Sequence, residues 1–258
     1  MATASVQAEL VDAASHASAP VGVGRRFSFI GLNPRVGTST VAALTGRALA
    51  RGRSGRTLLA DAALDSARTT DVPDGIADGV PKKLRERLRY REGVFALTLA
   101  APATDAAGWS SASGTIEGPG AVEWRTQVGP AARYFDIVCT DWESGADLSE
   151  ILDRSQTGQA VCIVAPFART GAEYAVGLAR ALHDRPNTPA VMVAFVDAAR
   201  TGSTWPRLVA DRLPFPTVAF GYDGGLAAGG SPGARSVHAA TLAAATLMRA
   251  SDPAGGAR

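Results

Sequence analysis

The chain has 258 residues, of which 46% are hydrophobic and 19% are charged, enough apolar content for the packed core of one large or two small domains. Its 26 lysines and arginines nearly balance 24 acidic residues and leave a formal net charge of +2, so charge alone does not favour a nucleic-acid partner. The three histidines are scattered and lack the spacing of metal ligands, which argues against a metal site built on them.

The cysteines and the apolar segments indicate the cellular compartment. Cys139 and Cys162 lie inside apolar runs predicted to be strands, which favours buried thiols over a disulfide. The first twenty residues contain Glu9 and Asp12 but no basic residue, so they lack the positive start and apolar stretch of a signal peptide. No run of eighteen apolar residues occurs, and we therefore predict a cytoplasmic protein without a membrane span.

Short apolar runs alternate with amphipathic segments along most of the chain. The composition predicts a flexible or weakly helical tail over residues 1–24 and a disordered tail over residues 251–258. Strands are predicted over residues 27–32, 56–62, 93–100, 134–141, 159–166, 189–197 and 216–223. Helices are predicted over residues 37–51, 81–92, 171–183 and 238–250, with a mobile surface loop over residues 101–121.

Fully apolar strands separated by helices are typical of a parallel sheet that is covered on both faces. The alternation is not interrupted, and the sequence contains no internal repeat. We therefore predict one α/β domain over residues 25–250, built as a single doubly wound, mostly parallel sheet flanked by helices.

The segment after the first predicted strand has the pattern of an anion site. A strand, a tight turn and a helix rich in small residues direct backbone N–H groups and the helix dipole at one point. A phosphate loop adds close-approach glycines, a lysine and a hydroxyl for magnesium. Gly37 and Ser39 supply the glycine before the helix and the hydroxyl, but Thr38 stands in the place of the lysine. Taken alone, the segment also fits a helix start without a ligand.

Over residues 27–250 the sequence resembles the ParA/MinD family of P-loop ATPases. Its N-P-R-V-G-T-S-T segment (33–40) aligns without gaps with the family's K-G-G-V-G-K-T-T loop. Asp61 matches the first aspartate of the family's D-x-D motif, and Asp141 in FDIVCTDW matches the Walker B aspartate. The segments VAPFARTGAEYAVGLARAL and FGYDGGLAAGG (220–230) are similar to the family's T-P-E-P-T-S-L segment and I-P-Y-D motif. The resemblance implies a P-loop NTPase fold.

The resemblance also implies a set of site residues. Asp61 and Asp141 would keep residual catalytic roles, and Ser39 and Asp141 would hold Mg²⁺ if it is bound. The nucleotide would contact the loop residues Asn33, Pro34, Arg35, Val36, Gly37, Thr38, Ser39 and Thr40.

Several departures from the family pattern remove groups that the chemistry needs. The signature lysine, which reaches the nucleotide of a dimer partner in the family, corresponds to Asn33, and the loop lysine corresponds to Thr38. Ala63 replaces the second D-x-D aspartate, while Pro34 and Arg35 replace the loop glycines. Because phosphoryl transfer depends on positioning and charge neutralisation, we predict a pseudo-ATPase. Binding of ATP or ADP with Mg²⁺ and the absence of any cofactor stay equally open.

The same departures bear on assembly and partners. Without the signature lysine, a homodimer would not be driven by ATP and would have to be held by other surfaces. The basic run over residues 82–91 predicts a solvated amphipathic helix, or binding of an acidic partner or anionic surface, whereas nucleic acid is an unlikely partner. Trp142, beside the presumed pocket, is interpreted as core packing, with base stacking or blocking of the site as alternatives.

The leading hypothesis is a ParA/MinD-like accessory or regulatory protein that has weak or vestigial nucleotide binding and acts through protein contacts. The GYDGGLAAGG segment most resembles the MinD-like proteins of actinobacterial type VII secretion systems, which implies a secretion or cell-envelope partner. One alternative is a working ATPase that positions cargo, with Arg35 replacing a lysine. Another is a septum-site or pilus-localisation factor of the same fold.

Overall fold

An eight-stranded sheet forms the centre of the structure, a computed structural model that describes residues 2–21, 24–51, 56–60, 70–99, 120–142, 148–210 and 212–252. The strands are β1 (Arg25–Gly31), β2 (Thr57–Ala60), β3 (Arg89–Arg91), β4 (Val94–Leu97), β5 (Ile137–Trp142), β6 (Ala160–Pro166), β7 (Ala190–Val196) and β8 (Thr217–Phe220). Their order in the sheet is β3-β4-β2-β5-β1-β6-β7-β8. The β3–β4 pair is antiparallel, and the other neighbouring pairs are parallel.

Helices cover both faces of this sheet. They are α1 (Ala2–Ser18), α2 (Thr38–Arg51), α3 (Lys82–Arg85), α4 (Ala121–Gln127), α5 (Gly129–Ala132), α6 (Leu148–Ser155), α7 (Arg169–His183), α8 (Trp205–Ala210), α9 (Gly224–Ala227) and α10 (Ala234–Ala250). One hydrophobic cluster joins the sheet to α2, α10 and the end of α1, and a second joins it to α4, α6 and α7. Neighbouring side chains of one strand enter different clusters, as Phe29 and Ile30 do in β1.

The predicted fold class is confirmed. Burial on both faces explains why β6 and β7 are apolar along their whole length. Small side chains then let helices approach the sheet closely, and α10 contributes the buried alanines Ala239, Ala240, Ala243 and Ala244. Cys139 and Cys162 are free and buried, and burial raises the pKa of both thiols, as expected for packing residues.

The predicted helix over residues 81–92 is wrong beyond its first turns. The structure has the short helix α3 and then the edge strand β3, which pairs with β4. Between these strands Glu92 and Gly93 have φ angles of 49° and 87°, as in the two-residue turns that match the twist of hairpin strands. Leu88 is buried and Tyr90 packs on Phe95 with 5.2 Å between ring centroids. The side chains thus follow the two-residue period of a strand.

The amino-terminal segment, which was predicted to be a flexible or weakly helical tail, is helical from Ala2 to Ser18. Its 17-residue helix α1 packs against α10 and α2, burying Ala13 and Ala17. The guanidinium of Arg249 lies 3.4 Å from the carboxylate of Asp12. Alanine has the highest helix propensity, and its small side chain allows two alanine-rich helices to pack closely, which accounts for the ordered arrangement.

Some predicted features lie outside the described residues. These are Asp61 and Ala63, the loop over residues 101–119 and the last six residues of the carboxyl-terminal tail. The division into two tails and a central domain therefore stays a prediction. Among the described helices, none combines the length and apolar character needed to cross a lipid bilayer.

The packing of α1 predicts different effects for two positions on the same helix. Ala13 is 2% exposed, whereas Val11 is 67% exposed. Replacing Ala13 with Asp buries a charge, so Ala13→Asp should lower the free energy of unfolding by about 2 kcal/mol or more. Val11→Asp should change it by less than about 0.5 kcal/mol. Urea denaturation followed by circular dichroism measures both; equal stabilities would contradict the docking of α1.

Candidate functional site

The carboxyl end of β1 lies where the connections of the sheet diverge. The chain leaves β1 through α2 and reaches β2 on one side, whereas it leaves the neighbouring β6 through α7 and reaches β7 on the other side. The helices α2 and α7 belong to different hydrophobic clusters and so cover different faces. In open α/β sheets, ligands bind in the crevice at such a switch point.

The loop between β1 and α2 keeps a backbone suited to glycine at two positions. Arg35 has a φ of 61° and Gly37 has a φ of 97°. Placing a residue with a side chain in this left-handed region costs about 1–2 kcal/mol, so Arg35 occupies a conformation that glycine adopts without cost. The side chain of Arg35 is exposed and that of Val36 is buried. The loop therefore has the backbone conformation of a glycine-rich loop, although only Gly37 of these two residues is a glycine.

The side chain at the lysine position of the loop is packed against the sheet. Thr38 is the first residue of α2 and is only 9% exposed. Its hydroxyl lies over Gly31, the last residue of β1, so that a Cβ at position 31 would overlap it. Thr38 thus occupies the space beside the strand end and brings no positive charge.

Ser39 and Asp141 lie at the same end of the sheet. Asp141 is the penultimate residue of β5, and it pairs in register with Phe29 of β1. Cys139 packs in the hydrophobic cluster that contains α2. Asp141 lies two residues further along the same strand, so its side chain points to the same face of the sheet. Ser39 lies in the first turn of α2. Both provide oxygen ligands of the kind that Mg²⁺ prefers, and Asp141 is 5% exposed.

A cavity of about 220 Å³ opens beside this loop. Arg35, Gly37 and Thr40 form its loop side. The ends of β7 and β8, the helices α2 and α9 and the start of α10 form the rest. The apolar part of the wall is made by Val41, Leu44, Val196, Phe220 and Leu226. Five of the eight predicted loop residues, namely Asn33, Pro34, Val36, Thr38 and Ser39, are not in this lining.

Asp223 organises one wall of the cavity. Its carboxylate accepts hydrogen bonds from the backbone N–H groups of Gly225 (2.9 Å), Leu226 (3.3 Å) and Gly233 (2.7 Å), and from the Ser236 hydroxyl (2.6 Å). The bond from Ser236 and those from the backbone hold its pKa below the usual value. Asp223 thereby caps α9 and ties it to the start of α10, which gives this aspartate of the GYD segment a structural role.

Asp197 organises the part of the cavity wall that follows β7. Burial raises its pKa, but hydrogen bonds from the Gly202 N–H (2.9 Å), the Thr201 N–H (2.6 Å) and the Thr201 hydroxyl (3.0 Å) bring the pKa below its usual value. These bonds fold residues 197–202 into a tight loop in which Arg200 has a φ of 54°. The Arg200 guanidinium lies over the Tyr222 ring, 5.5 Å from its centroid.

Tyr222, rather than Trp142, is the exposed aromatic residue of the cavity. Tyr222 is 42% exposed and lines it. Trp142 is buried in the cluster on the α4 and α6 side, with the Arg154 guanidinium 5.3 Å from its ring centroid. The packing interpretation of Trp142 is therefore confirmed. Asp197 and Tyr222 were not among the predicted site residues, although both lie at the carboxyl ends of predicted strands, and the carboxyl ends of parallel strands meet at one edge of the sheet.

The predicted Mg²⁺ ligands Ser39 and Asp141 do not form a complete metal site. Within the described ranges, no group of three or more His, Cys, Asp or Glu side chains is arranged to hold a metal ion. Asp61 lies outside these ranges, so its predicted catalytic role stays a prediction. Ser39 and Asp141 provide two oxygen ligands, so Mg²⁺ bound by them would need its other ligands from a nucleotide or from water.

No protein-family model matches the sequence, and no curated protein matches it. Solved structures do match. The septum site-determining protein MinD from Pyrococcus horikoshii OT3, complexed with Mg-ADP, is 16% identical with a TM-score of 0.60, over 91% of this chain and 98% of that chain. A ParA family ATPase from Chlorobium tepidum TLS is 14% identical with a TM-score of 0.53, over 88% and 91% of the two chains.

A third similar structure is the MinC:MinD cell division protein complex from Aquifex aeolicus. It is 16% identical with a TM-score of 0.51, over 88% of this chain and 94% of that chain. Identities this low show the fold alone. The fold is that of the ParA and MinD structures, as the sequence resemblance predicted.

The hydrogen bonds of Asp197 predict a pH-dependent loss of stability in Asp197→Asn, because an amide cannot accept all three bonds. The variant should unfold with about 1.5–3 kcal/mol less free energy at pH 7. The pKa of Asp197 is lowered in the folded protein, so its stabilisation is complete above the unfolded pKa of about 3.9 and disappears as the pH falls through the folded pKa. Urea denaturation at pH 7 and pH 3 should show the deficit shrinking in acid.

Asp153→Asn is the matched control, because Asp153 is exposed on α6. This variant should be as stable as the original protein at both pH values, within about 0.5 kcal/mol. A deficit of Asp197→Asn that is the same at pH 7 and pH 3 would contradict the role given to the ionised carboxylate.

Proposed function

We propose that this chain is a ParA/MinD-like protein with weak or vestigial nucleotide binding and impaired ATP hydrolysis, which acts as an accessory or regulatory protein through contacts with a protein partner. The packing of Thr38 over Gly31 is the observation that carries the proposal. At the position where the family has its phosphate-binding lysine, this chain has a neutral side chain that packs against the end of β1.

The shortage of positive charge extends along the loop. Arg35 is the one cationic residue between positions 33 and 40, and Pro34 has no backbone N–H to donate. Removing a single charge-stabilising donor from a catalytic site costs about 3 kcal/mol, or a hundredfold or more in rate. The chain lacks both family lysines, and their effects need not add. The resulting expectation is hydrolysis far below that of a complete site.

The residues that remain fit a magnesium nucleotide in part. Mg²⁺, where bound, neutralises charge on phosphate oxygens, and Ser39 and Asp141 are the side chains that would hold it. The loop backbone and the helix dipole of α2 suit an anion. The fit is therefore adequate in ligand type and loop form but poor in cationic side chains.

A working ATPase is the second candidate, and one observation favours it. Arg35 is exposed at the edge of the cavity and lies in a left-handed conformation that glycine would adopt without cost. A strained residue at such a position is a reason to consider function. In this alternative the guanidinium of Arg35 replaces a lysine at the phosphates, and hydrolysis positions cargo, division machinery or a pilus.

The protein partner that we propose belongs to secretion or cell-envelope machinery. The similar MinD of Aquifex aeolicus was solved in complex with MinC, so a chain of this fold can present a protein-binding surface. The resemblance of residues 221–230 to type VII secretion-associated proteins supports secretion or cell-envelope machinery. Affinity purification of the tagged chain from its own cells should recover such components, and their absence would remove support for this assignment.

An ATPase assay tests the proposal directly. Phosphate release by the purified protein with Mg²⁺ should be no faster than release by an Asp141→Ala variant, because the site cannot neutralise the triphosphate. The same two proteins should keep one oligomeric state with and without ATP, as judged by light scattering. Mg²⁺-dependent turnover that Asp141→Ala abolishes and Asp153→Ala does not would overturn the proposal and support the working ATPase.

Restoring the missing charge is the complementary test. Thr38→Lys should tighten ATP binding about tenfold or more, because a hydrogen bond to a charged group contributes about 1.5–3 kcal/mol. Gly31 has no side chain that would obstruct the longer residue at its base. Thr38→Met adds similar length without charge and should leave the affinity unchanged. Isothermal titration calorimetry measures the ATP affinity of both variants. Equal affinities would show that a side chain at position 38 does not contact the phosphate groups.

A further inference from the structure

A groove lies beside the edge strand β3, away from the loop at the end of β1. It has a volume of about 460 Å³ and is lined by Asp71, Val72, Lys82, Arg85, Glu86 and Arg89. In the order of the sheet, the strands β4, β2 and β5 separate β3 from β1. The groove is therefore distinct from the candidate nucleotide site, and the two share no lining residue.

The backbone of β3 is already paired on both sides at its centre. On one side β3 pairs with β4. On the other side the N–H of Tyr90 donates to the carbonyl of Thr70 (2.8 Å), and the N–H of Thr70 donates to the carbonyl of Tyr90 (3.1 Å). A partner segment therefore cannot extend the sheet at Tyr90, and binding at this edge depends on side chains.

The lining of the groove carries more positive than negative charge. It contains three cationic and two acidic residues. A guanidinium nitrogen of Arg89 lies 3.5 Å from the carboxylate of Asp71, so this pair is neutral. Lys82 and Arg85 are then opposed by Glu86 alone. Within the described ranges of the chain, no carboxylate forms an ion pair with either of these two cations.

The charges around the groove increase this excess. The run over residues 82–91 contains six basic residues and one acidic residue, and its members Lys83 and Arg87 are exposed. Asp74 and Asp78 precede α3 and do not line the groove. An anionic partner is therefore attracted to this edge of the sheet.

Arg85 supplies a donor that has no acceptor in the free protein. Its Nε is buried and makes no hydrogen bond to any of the described residues. A buried donor without a partner is unfavourable, so the side chain gains a hydrogen bond if it turns toward an acceptor in the groove. The guanidinium presents its N–H groups as a planar fork that fits the two oxygens of a carboxylate.

The side chains of the groove favour protein carboxylates over a membrane or a nucleic acid. Leu84 and Leu88 pack on the hydrophobic core and offer no apolar face for insertion into a bilayer. Glu86 lies among the cations and repels the closely spaced phosphates of a nucleic acid. A peptide can instead place separate carboxylates at Lys82 and Arg85 and leave Glu86 uncovered.

We propose that this groove binds an acidic segment of a partner protein, with Lys82 and Arg85 as its carboxylate-binding residues. The inference rests on the action through protein contacts proposed above and gives that contact its chemistry. Such a segment carries two or more aspartates or glutamates close together. Its binding is weakened by salt and does not require a nucleotide, because the groove is separate from the loop over residues 33–40.

Fluorescence anisotropy with a fluorescein-labelled oligoglutamate peptide and the full chain tests the inference. Unlabelled oligoglutamate should displace the probe at a concentration about tenfold or more below that of oligoglutamine, because the contacts are charge-assisted. Added sodium chloride should weaken binding, whereas ATP should not change it. Displacement by both peptides at the same concentration, or no binding of the probe, would overturn the inference.

Variants of the groove identify it as the place of binding. Arg85→Gln should weaken probe binding about tenfold or more. Arg85→Lys keeps the charge but loses the planar fork, and should weaken it about threefold or more. Lys82→Gln alters an exposed side chain that does not support the fold and should weaken it about twofold to fivefold.

Arg180→Gln is the matched control, because Arg180 is exposed on α7 and does not line the groove. It removes the same charge from the chain and should change the affinity less than about twofold. Thermal unfolding of each variant checks that the fold is intact. Equal losses in Arg85→Gln, Lys82→Gln and Arg180→Gln would show attraction to overall charge and would overturn the inference.

Anionic vesicles and DNA test the two other classes of partner. Vesicles of phosphatidylserine and phosphatidylcholine, and a short DNA duplex, should not displace the oligoglutamate probe. Displacement by either one, with binding of that ligand lost in Arg85→Gln, would assign the groove to a lipid surface or to a nucleic acid and overturn the inference.

The outcomes separate this inference from the proposed function. Mg²⁺-dependent hydrolysis that requires Asp141 refutes the proposed function, whatever the affinity for oligoglutamate is. An affinity that Arg85→Gln and Lys82→Gln leave unchanged refutes the inference alone, and leaves impaired hydrolysis and action through another surface standing.

Discussion

The balance of charge at the carboxyl edge of the sheet decides what this molecule can hold there. Parallel strands direct their carboxyl ends, and the loops that follow, to one edge, and this chain places two ionised aspartates at that edge beside the start of α2. Both carboxylates are satisfied by N–H and hydroxyl donors of the protein itself.

The loop at the end of β1 owes its backbone form to the packing of the elements that it joins. The turn still requires a left-handed residue at two positions, because the path from β1 into α2 is fixed by the packing of both elements against the core. That requirement is geometric, so it does not depend on which side chains the loop carries. Arginine at position 35 carries the conformational cost, while threonine at position 38 fills the space above Gly31.

The sequence predicts the buried strands well, because burial requires apolar residues. It predicts the edge strand less well, because that strand is defined by its hydrogen bonds to a neighbouring strand and not by its residue types. The buried strands appeared as apolar runs because both of their faces are covered. The edge strand β3 was missed because its charged residues also fit a helix, and only the Glu92–Gly93 turn would have indicated a hairpin. The loop over residues 33–40 was found through its pattern. Asp197 and Tyr222 were not, because their significance depends on which strand ends lie side by side.

The helix α10 connects two features that are far apart on the molecule. Its first turn contains Ser236, which donates to Asp223 in the cavity wall, and its last turn contains Arg249, which lies beside Asp12 of α1. A helix of 17 residues is about 25 Å long, so the contact with α1 and the hydrogen bond to the cavity wall lie at opposite ends of one element. Both contacts therefore depend on α10 remaining intact along its whole length.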